Sequence, residues 1–252
     1  MSSEKLSTFF FDSKRIIELR REVQPYSPKE DLWSWYVLRR LSIYVTLLFQ
    51  KMRFTPNAVS WLSVLFVLLS GLCMIMATPF GFVLAFISYN LGYLFDCVDG
   101  ELARMTKRTS KLGYFIDMLI RAATLPVFLS FPLAYLVMIE ALELTFLTGS
   151  ILYIVITCII MSLLVPLAYD LTHNAVAEQK DPVQQIRNKS IIFEFAGFIL
   201  GLPGFFFTIL LILLLELFTE LYLIPMYIML FLLVLIIKVI LRLVVTVKTF
   251  YK

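Results

Sequence analysis

The sequence predicts an all-α integral membrane protein, a six-transmembrane-helix bundle with an N-terminal amphipathic juxtamembrane helix. Three observations lead there. Hydrophobic residues make up 60% of the 252-residue chain and mean hydropathy is +0.89, where soluble domains carry roughly 45–50% apolar residues. Six apolar stretches are long enough to cross a hydrocarbon core, which takes about 20 residues. The connections between them alternate between basic and acidic or neutral, as successive loops on opposite sides of a bilayer do. Cys73, Cys97 and Cys158 lie in apolar runs without disulfide or metal spacing and read as packing thiols. No short apolar core with a cleavage site stands near residue 1, so no signal peptide is expected. The net charge of +4 is small, and no nucleic-acid partner is expected.

Residues 1–26 form a polar arm with bases at Lys5, Lys14, Arg15, Arg20 and Arg21. Residues 27–54 open on Ser27-Pro28-Lys29-Glu30, a capping box with proline at the first helical position. Beyond it Trp33, Trp35, Tyr36, Leu38, Leu41, Tyr44 and Leu48 alternate with Arg39, Arg40, Lys51 and Arg53. Aromatic and aliphatic residues interleaved with bases suit a helix in the headgroup layer, and the adjacent Arg39 and Arg40 favour that over a tilted span.

Residues 55–252 form the membrane domain. Thr55 is placed to cap a helix whose first residue is Pro56. The spans run roughly over 57–77, 80–103, 112–138, 146–170, 191–215 and 222–247. Prolines 126, 132, 166 and 203 are expected to bend the third, fourth and fifth helices, with Gly201-Leu202-Pro203-Gly204 the strongest kink. Gly71 and Gly92 suit close approach of two helices.

Orientation follows from the charges. The arm, the 104–111 hinge (Arg104, Lys107, Arg108, Lys111), the 171–190 loop (Lys180, Arg187, Lys189) and the C-terminus (Lys248, Lys252) are basic. The opposite turns carry Glu140 and Glu143, or Glu216 and Glu220, and no base. Both termini are thereby expected on the cytoplasmic side of a cell inner (cytoplasmic) membrane or an ER-type membrane.

The chemistry is expected in Asp96 to Arg121, DCVDGELARMTKRTSKLGYFIDMLIR. Asp96, Asp99, Gly100 and Ala103 fall at i, i+3, i+4 and i+7 and share one helix face. Past the basic hinge, Asp117 follows Gly113 by one turn. Three acids at the cytoplasmic ends of two apolar segments call for a counter-charge. An oxygen-only donor set favours Mg2+ or Mn2+ over zinc. Gly100 and Ala103 leave the face bare, and Arg104 adds a cation, which together suggest a polyphosphate bound through bridging metal. The plainer alternative, a solvated helix end with local ion pairs, leaves the glycine spacing unexplained.

The pattern DxxDGxxAR, eight residues, then GxxxD resembles the signature of the CDP-alcohol phosphotransferase (CDP-alcohol phosphatidyltransferase) family, carried by Asp96, Asp99, Gly100, Ala103, Arg104, Gly113 and Asp117. The resemblance implies a six-helix membrane bundle, usually a homodimer. It implies transfer of a substituted phosphoryl group from a CDP-linked donor, such as CDP-diacylglycerol or a CDP-alcohol, to an alcohol, with release of CMP. It implies metals on Asp96, Asp99 and Asp117, and a nucleotide pocket shaped by Gly100, Ala103, Arg104 and Gly113. One side of the exchange would be a membrane lipid, which places the activity in phospholipid or related glycolipid synthesis.

The family's pattern ends with a fourth Asp, the proposed general base, where this chain has Arg121. A guanidinium cannot serve as a base, although a general base is worth typically about 10²–10⁴-fold and its loss need not abolish turnover. The favoured expectation is an active transferase with an altered acceptor site: either the acceptor is anionic and gripped by Arg121, the proton passing to His173, Glu101 or substrate phosphate, or the enzyme runs slowly on one metal. Arg187 and Lys189, in the basic loop, and Lys238, inside the last span, are candidates for an anionic acceptor or headgroup. A catalytically silent member that binds CDP-lipid or assists a partner is the main alternative. A divalent-cation or solute transporter would instead place its acids near mid-membrane.

Overall fold

A computed structural model describes residues 6–25, 31–140, 145–157, 160, 197–199, 201–219, 221–234 and 237. Every described element is helical. The arm is not merely polar chain, because Ser13 accepts the Ile16 N–H at 3.4 Å and starts α1 (Lys14–Val23). Arg20 and Arg21 in its last turn suit the negative end of the helix dipole. A π-helical turn, Ser34–Leu38, runs directly into α2 (Arg39–Lys51). The capping-box residues 27–30 lie outside the described residues.

Three long helices follow, α3 (Pro56–Ile75), α4 (Pro79–Thr106) and α5 (Lys111–Met138), each long and apolar enough to cross a membrane. Each begins with a hydroxyl cap. Thr55 accepts from Ala58 N–H at 3.3 Å, Thr78 from Gly81 at 3.1 Å and Ser110 from Gly113 at 3.0 Å. Pro56 and Pro79 occupy the first helical positions, where a missing N–H costs nothing. α4 stops at Lys107, whose left-handed φ of 54° turns the chain toward α5. Shorter apolar helices are described at α6 (Phe146–Thr157), α7 (Leu202–Glu216) and α8 (Leu223–Val234). The first three expected spans are therefore present, and the described parts of the other three stretches include α6, α7 and α8.

Pro126 and Pro132 both sit inside α5, which continues through them. At Gly201, where the strongest kink is expected, the fifth apolar stretch starts a new helix: Gly201 is the extended N-cap of α7, and Pro203 lies in its first turn, where no N–H is needed. Gly204 makes the restart possible, since an added Cβ would stand 2.6 Å from the Ile199 Cα. Pro166 lies outside the described residues.

α3 and α4 pack backbone to backbone at Gly92, where Ser63 Oγ donates to the Gly92 carbonyl at 2.8 Å. A Cβ on Gly92 would meet the Val67 amide nitrogen at 2.9 Å, and backbone cannot step aside as a side chain can. Gly92→Val is thus expected to lower stability by about 1–3 kcal/mol, read as a fall in the thermal midpoint of the detergent-solubilised chain. Beside this contact lies an aromatic core of Phe131, Phe205, Phe206 and Phe231, with Phe206 stacked on Tyr89 at 4.8 Å. Trp61, Leu65 and Leu69 of α3, Ile87 of α4 and Leu125 of α5 turn outward, as the lipid-facing sides of an integral membrane protein do.

Candidate active site

The aspartate motif of the sequence opens onto a cavity of about 760 Å³. From α4 come Asp96, Asp99, Gly100, Ala103 and Arg104, and from α5 come Gly113, Asp117 and Arg121. α3 contributes Asn57 and Ser60. Two helices separated by the basic hinge thus bring every motif residue of the sequence pattern to one space. Asp96 and Asp117 both act electrostatically on Asp99. The α4 face is less bare than its small residues suggest: the Arg104 guanidinium lies over Gly100, where an added Cβ would stand 3.3 Å from its Nη2. Gly113 lets the start of α5 come up to Asn57, whose Oδ1 would be 3.3 Å from a Cβ there.

Arg121 donates to Asp117 at 3.0 Å, one turn along α5. The pair is open, Arg121 being 69% exposed, so it contributes little to stability. It does hold one of the three acids. Among the described residues no three His, Cys, Asp or Glu side chains stand close enough together to ligate one ion. By chemistry the donors nonetheless fit a hard divalent cation, since the three motif acids line one cavity and supply only oxygens. Asp117 would have to share or leave Arg121 to join them.

The arm holds the motif helix in place, which the sequence did not reveal. Glu101, next to Gly100, is fully buried and does not line the cavity. It accepts from Gln24 Nε2 at 2.8 Å, Arg39 Nη1 at 3.1 Å, Thr46 Oγ1 at 2.8 Å and the Ser42 hydroxyl. A carboxylate held by four donors and closed off from the cavity is not placed to take an acceptor's proton, so that expectation for Glu101 is dropped. Arg39 likewise is no surface base; its side chain is 12% exposed and turned inward. Arg104 Nε donates to the Val23 carbonyl at 2.6 Å, tying the motif arginine to the end of α1.

Behind this layer Arg20 is fully buried, donating to Asp12 at 2.9 Å and to the Arg39 and Arg40 carbonyls at 2.8 and 2.9 Å. Burial raises the Asp12 carboxyl, but the Tyr44 hydroxyl, the Phe9 N–H and Arg20 together hold it below its ordinary value. Burial and the same contact push the Tyr44 hydroxyl up. The arm is therefore clasped at neutral pH by charged hydrogen bonds.

His173, Arg187, Lys189 and Lys238 lie outside the described residues. Asp31, Ser34 and Arg39 also line the cavity, and no motif spacing marks them.

Residues 53–247 match the CDP-alcohol phosphatidyltransferase family. The chain belongs to that family. Among characterised relatives, a protein of Thermococcus kodakarensis (strain ATCC BAA-918 / JCM 12380 / KOD1) named "Bifunctional IPC transferase and DIPP synthase" is 39% identical over 88 residues, 34% of this chain and 19% of that one. The matched stretch thus spans about a fifth of the relative's length. No solved structure matches the chain significantly. The motif residues that line the cavity all fall within the matched stretch.

Proposed function

We propose that the protein transfers a substituted phosphoryl group from a CDP-linked donor, CDP-diacylglycerol or a CDP-alcohol, to an anionic alcohol, releasing CMP. The observation that carries this is the meeting of the whole DxxDGxxAR and GxxxD set in one cavity between two spans. Mg2+ or Mn2+ would be held by Asp96, Asp99 and Asp117, and when bound would act as a Lewis acid on the phosphoryl oxygens. Arg104, fixed by Val23 and lying over Gly100, presents guanidinium N–H groups to the diphosphate. The acceptor oxygen attacks phosphorus as its proton passes to a substrate phosphate oxygen, the bond to the CMP oxygen breaks, and CMP departs with that electron pair. Arg121 cannot take the proton and serves instead to bind negative charge on the acceptor. The basic connections support a cytoplasmic position for this site and both termini, and the protein would work as a homodimer.

The Arg121–Asp117 bond also favours a second reading, a silent member that binds CDP-lipid without turnover, because it occupies a metal-binding acid. Purified protein incubated with CDP-diacylglycerol and Mn2+, then assayed for CMP against neutral and phosphorylated alcohols, separates the two. CMP release with a phosphorylated alcohol supports transfer; donor binding without CMP from any acceptor supports the silent reading. Arg121→Asp is expected to cost the active protein roughly tenfold to a hundredfold in kcat/KM for the anionic acceptor, the loss of one charge-assisted hydrogen bond. A gain in Mn2+ affinity with new activity on neutral alcohols would show the arginine to be a defect rather than a grip.

A further inference from the structure

The family match begins at residue 53, yet one wall of the cavity comes from before it. Along one flank of α4, Asn90, Tyr93, Cys97 and Glu101 fall at i, i+3, i+7 and i+11. Each meets the segment 31–39: Trp33 Nε1 donates to Asn90 Oδ1 at 2.8 Å, the Tyr93 hydroxyl donates to Asp31, Ser34 Oγ lies 3.7 Å from Cys97 Sγ, and Arg39 bonds Glu101. The π-helical turn sets this register. Arg39 N–H bonds the Ser34 carbonyl across five residues. In an α-helix five residues are about 1.4 turns, which would send Ser34 and Arg39 to different sides; the wider turn brings both to the α4 flank and the cavity.

That register leaves Asp31 at the cavity edge, half-buried, as a fourth carboxylate beside Asp96, Asp99 and Asp117. Its Oδ1 accepts the Ser34 N–H at 2.8 Å and its Oδ2 accepts the Tyr93 hydroxyl. These two bonds fix the plane of the group. A carboxylate has about four lone-pair positions, so acceptor capacity remains on the cavity side. Asparagine could hold one of those two bonds and much of the shape, so the fold alone gives weak reason for an acid. An anion repels phosphate, so what it would meet from a CDP-linked donor and an alcohol is a hydrogen-bond donor, a hydroxyl or the cytosine amine.

We propose that Asp31 is a substrate-contacting residue, its carboxylate accepting a hydrogen bond from a hydroxyl of the acceptor alcohol or of the donor's ribose, or from the cytosine amine. This rests on the transferase reading of the cavity. The test compares wild type, Asp31→Asn and Tyr93→Phe as full-length protein in lipid, using CDP-diacylglycerol, its 2′-deoxycytidine counterpart and the best acceptor from the alcohol panel. Asp31→Asn is expected to lower kcat/KM about tenfold to a hundredfold at unchanged Mn2+ affinity. Tyr93→Phe keeps the carboxylate and is expected to lose only a few-fold.

A loss confined to the ribose donor assigns the contact to the 2′-hydroxyl. An equal loss with both donors assigns it to the alcohol where the acceptor KM is raised, and to the cytosine amine where it is not. If Asp31→Asn does not fold, Asp31→Glu, which keeps the charge and moves the oxygens, is expected to show the same split. Activity within twofold of wild type overturns the proposal, as does a fall in Mn2+ affinity, which would make Asp31 a metal ligand. Wild type that releases no CMP from any acceptor takes down the transferase reading as well; active wild type with an indifferent Asp31→Asn takes down Asp31 alone.

Discussion

Glu101→Ala is expected to lower stability by about 3–5 kcal/mol, the usual cost of removing one partner from a buried ion pair. Glu101 is fully buried, and the Arg39 side chain bonded to it is only 12% exposed. Alanine takes the acceptor from Gln24, Ser42 and Thr46 in the same step. Glu101→Gln keeps a carbonyl oxygen and the shape but loses the charge, so a smaller loss is expected from it. Because Gln24 joins α1 to α4 through this carboxylate, the alanine variant should also expose the arm: limited proteolysis is expected to cut within residues 6–25 before any loss of the membrane core. An arm as resistant as that of wild type would mean that the clasp does not depend on Glu101.

Asp99→Asn is expected to have the largest effect on function and the opposite sign on stability. The amide matches the carboxylate in shape but removes a negative charge that lies under the influence of Asp96 and Asp117. Without metal, relief of like-charge repulsion should leave the thermal midpoint unchanged or raised. With Mn2+, the lost ligand charge should reduce metal-dependent donor binding and CMP release by about a hundredfold or more, equivalent to roughly 2.7 kcal/mol. Calorimetric Mn2+ titration of both proteins is the check, and equal affinities would remove Asp99 from the metal site. A merely structural aspartate would lose stability and activity together, so the two readouts separate the roles.

Much of this protein was legible because it is local. Thr55-Pro56 starts α3 as a hydroxyl cap and a first-turn proline must, and i, i+3, i+4, i+7 spacing places the acids and small residues of α4 together. Local reasoning reaches less far at Gly201-Leu202-Pro203-Gly204: composition identifies a break, and the close approach of Gly204 to the Phe198–Ile199 backbone makes it a helix start. By residue type Arg39 and Arg40 suit a headgroup layer. Arg39 is turned inward by Glu101, 62 positions away, and nothing near Arg39 in the sequence signals that partner.

The sequence by itself determined the first three apolar spans, the Thr55 cap, the motif and hence the family, since each depends on residues within a few turns of one another. Only the tertiary structure decided that Glu101 faces the arm and that Asp31 reaches the cavity. The reason is physical: charge type fixes what a side chain can bind, but which face is buried depends on a π-helical turn and on partners brought from distant parts of the chain. Gln24 and Glu101, 77 positions apart, meet only once α1, α2 and α4 have packed.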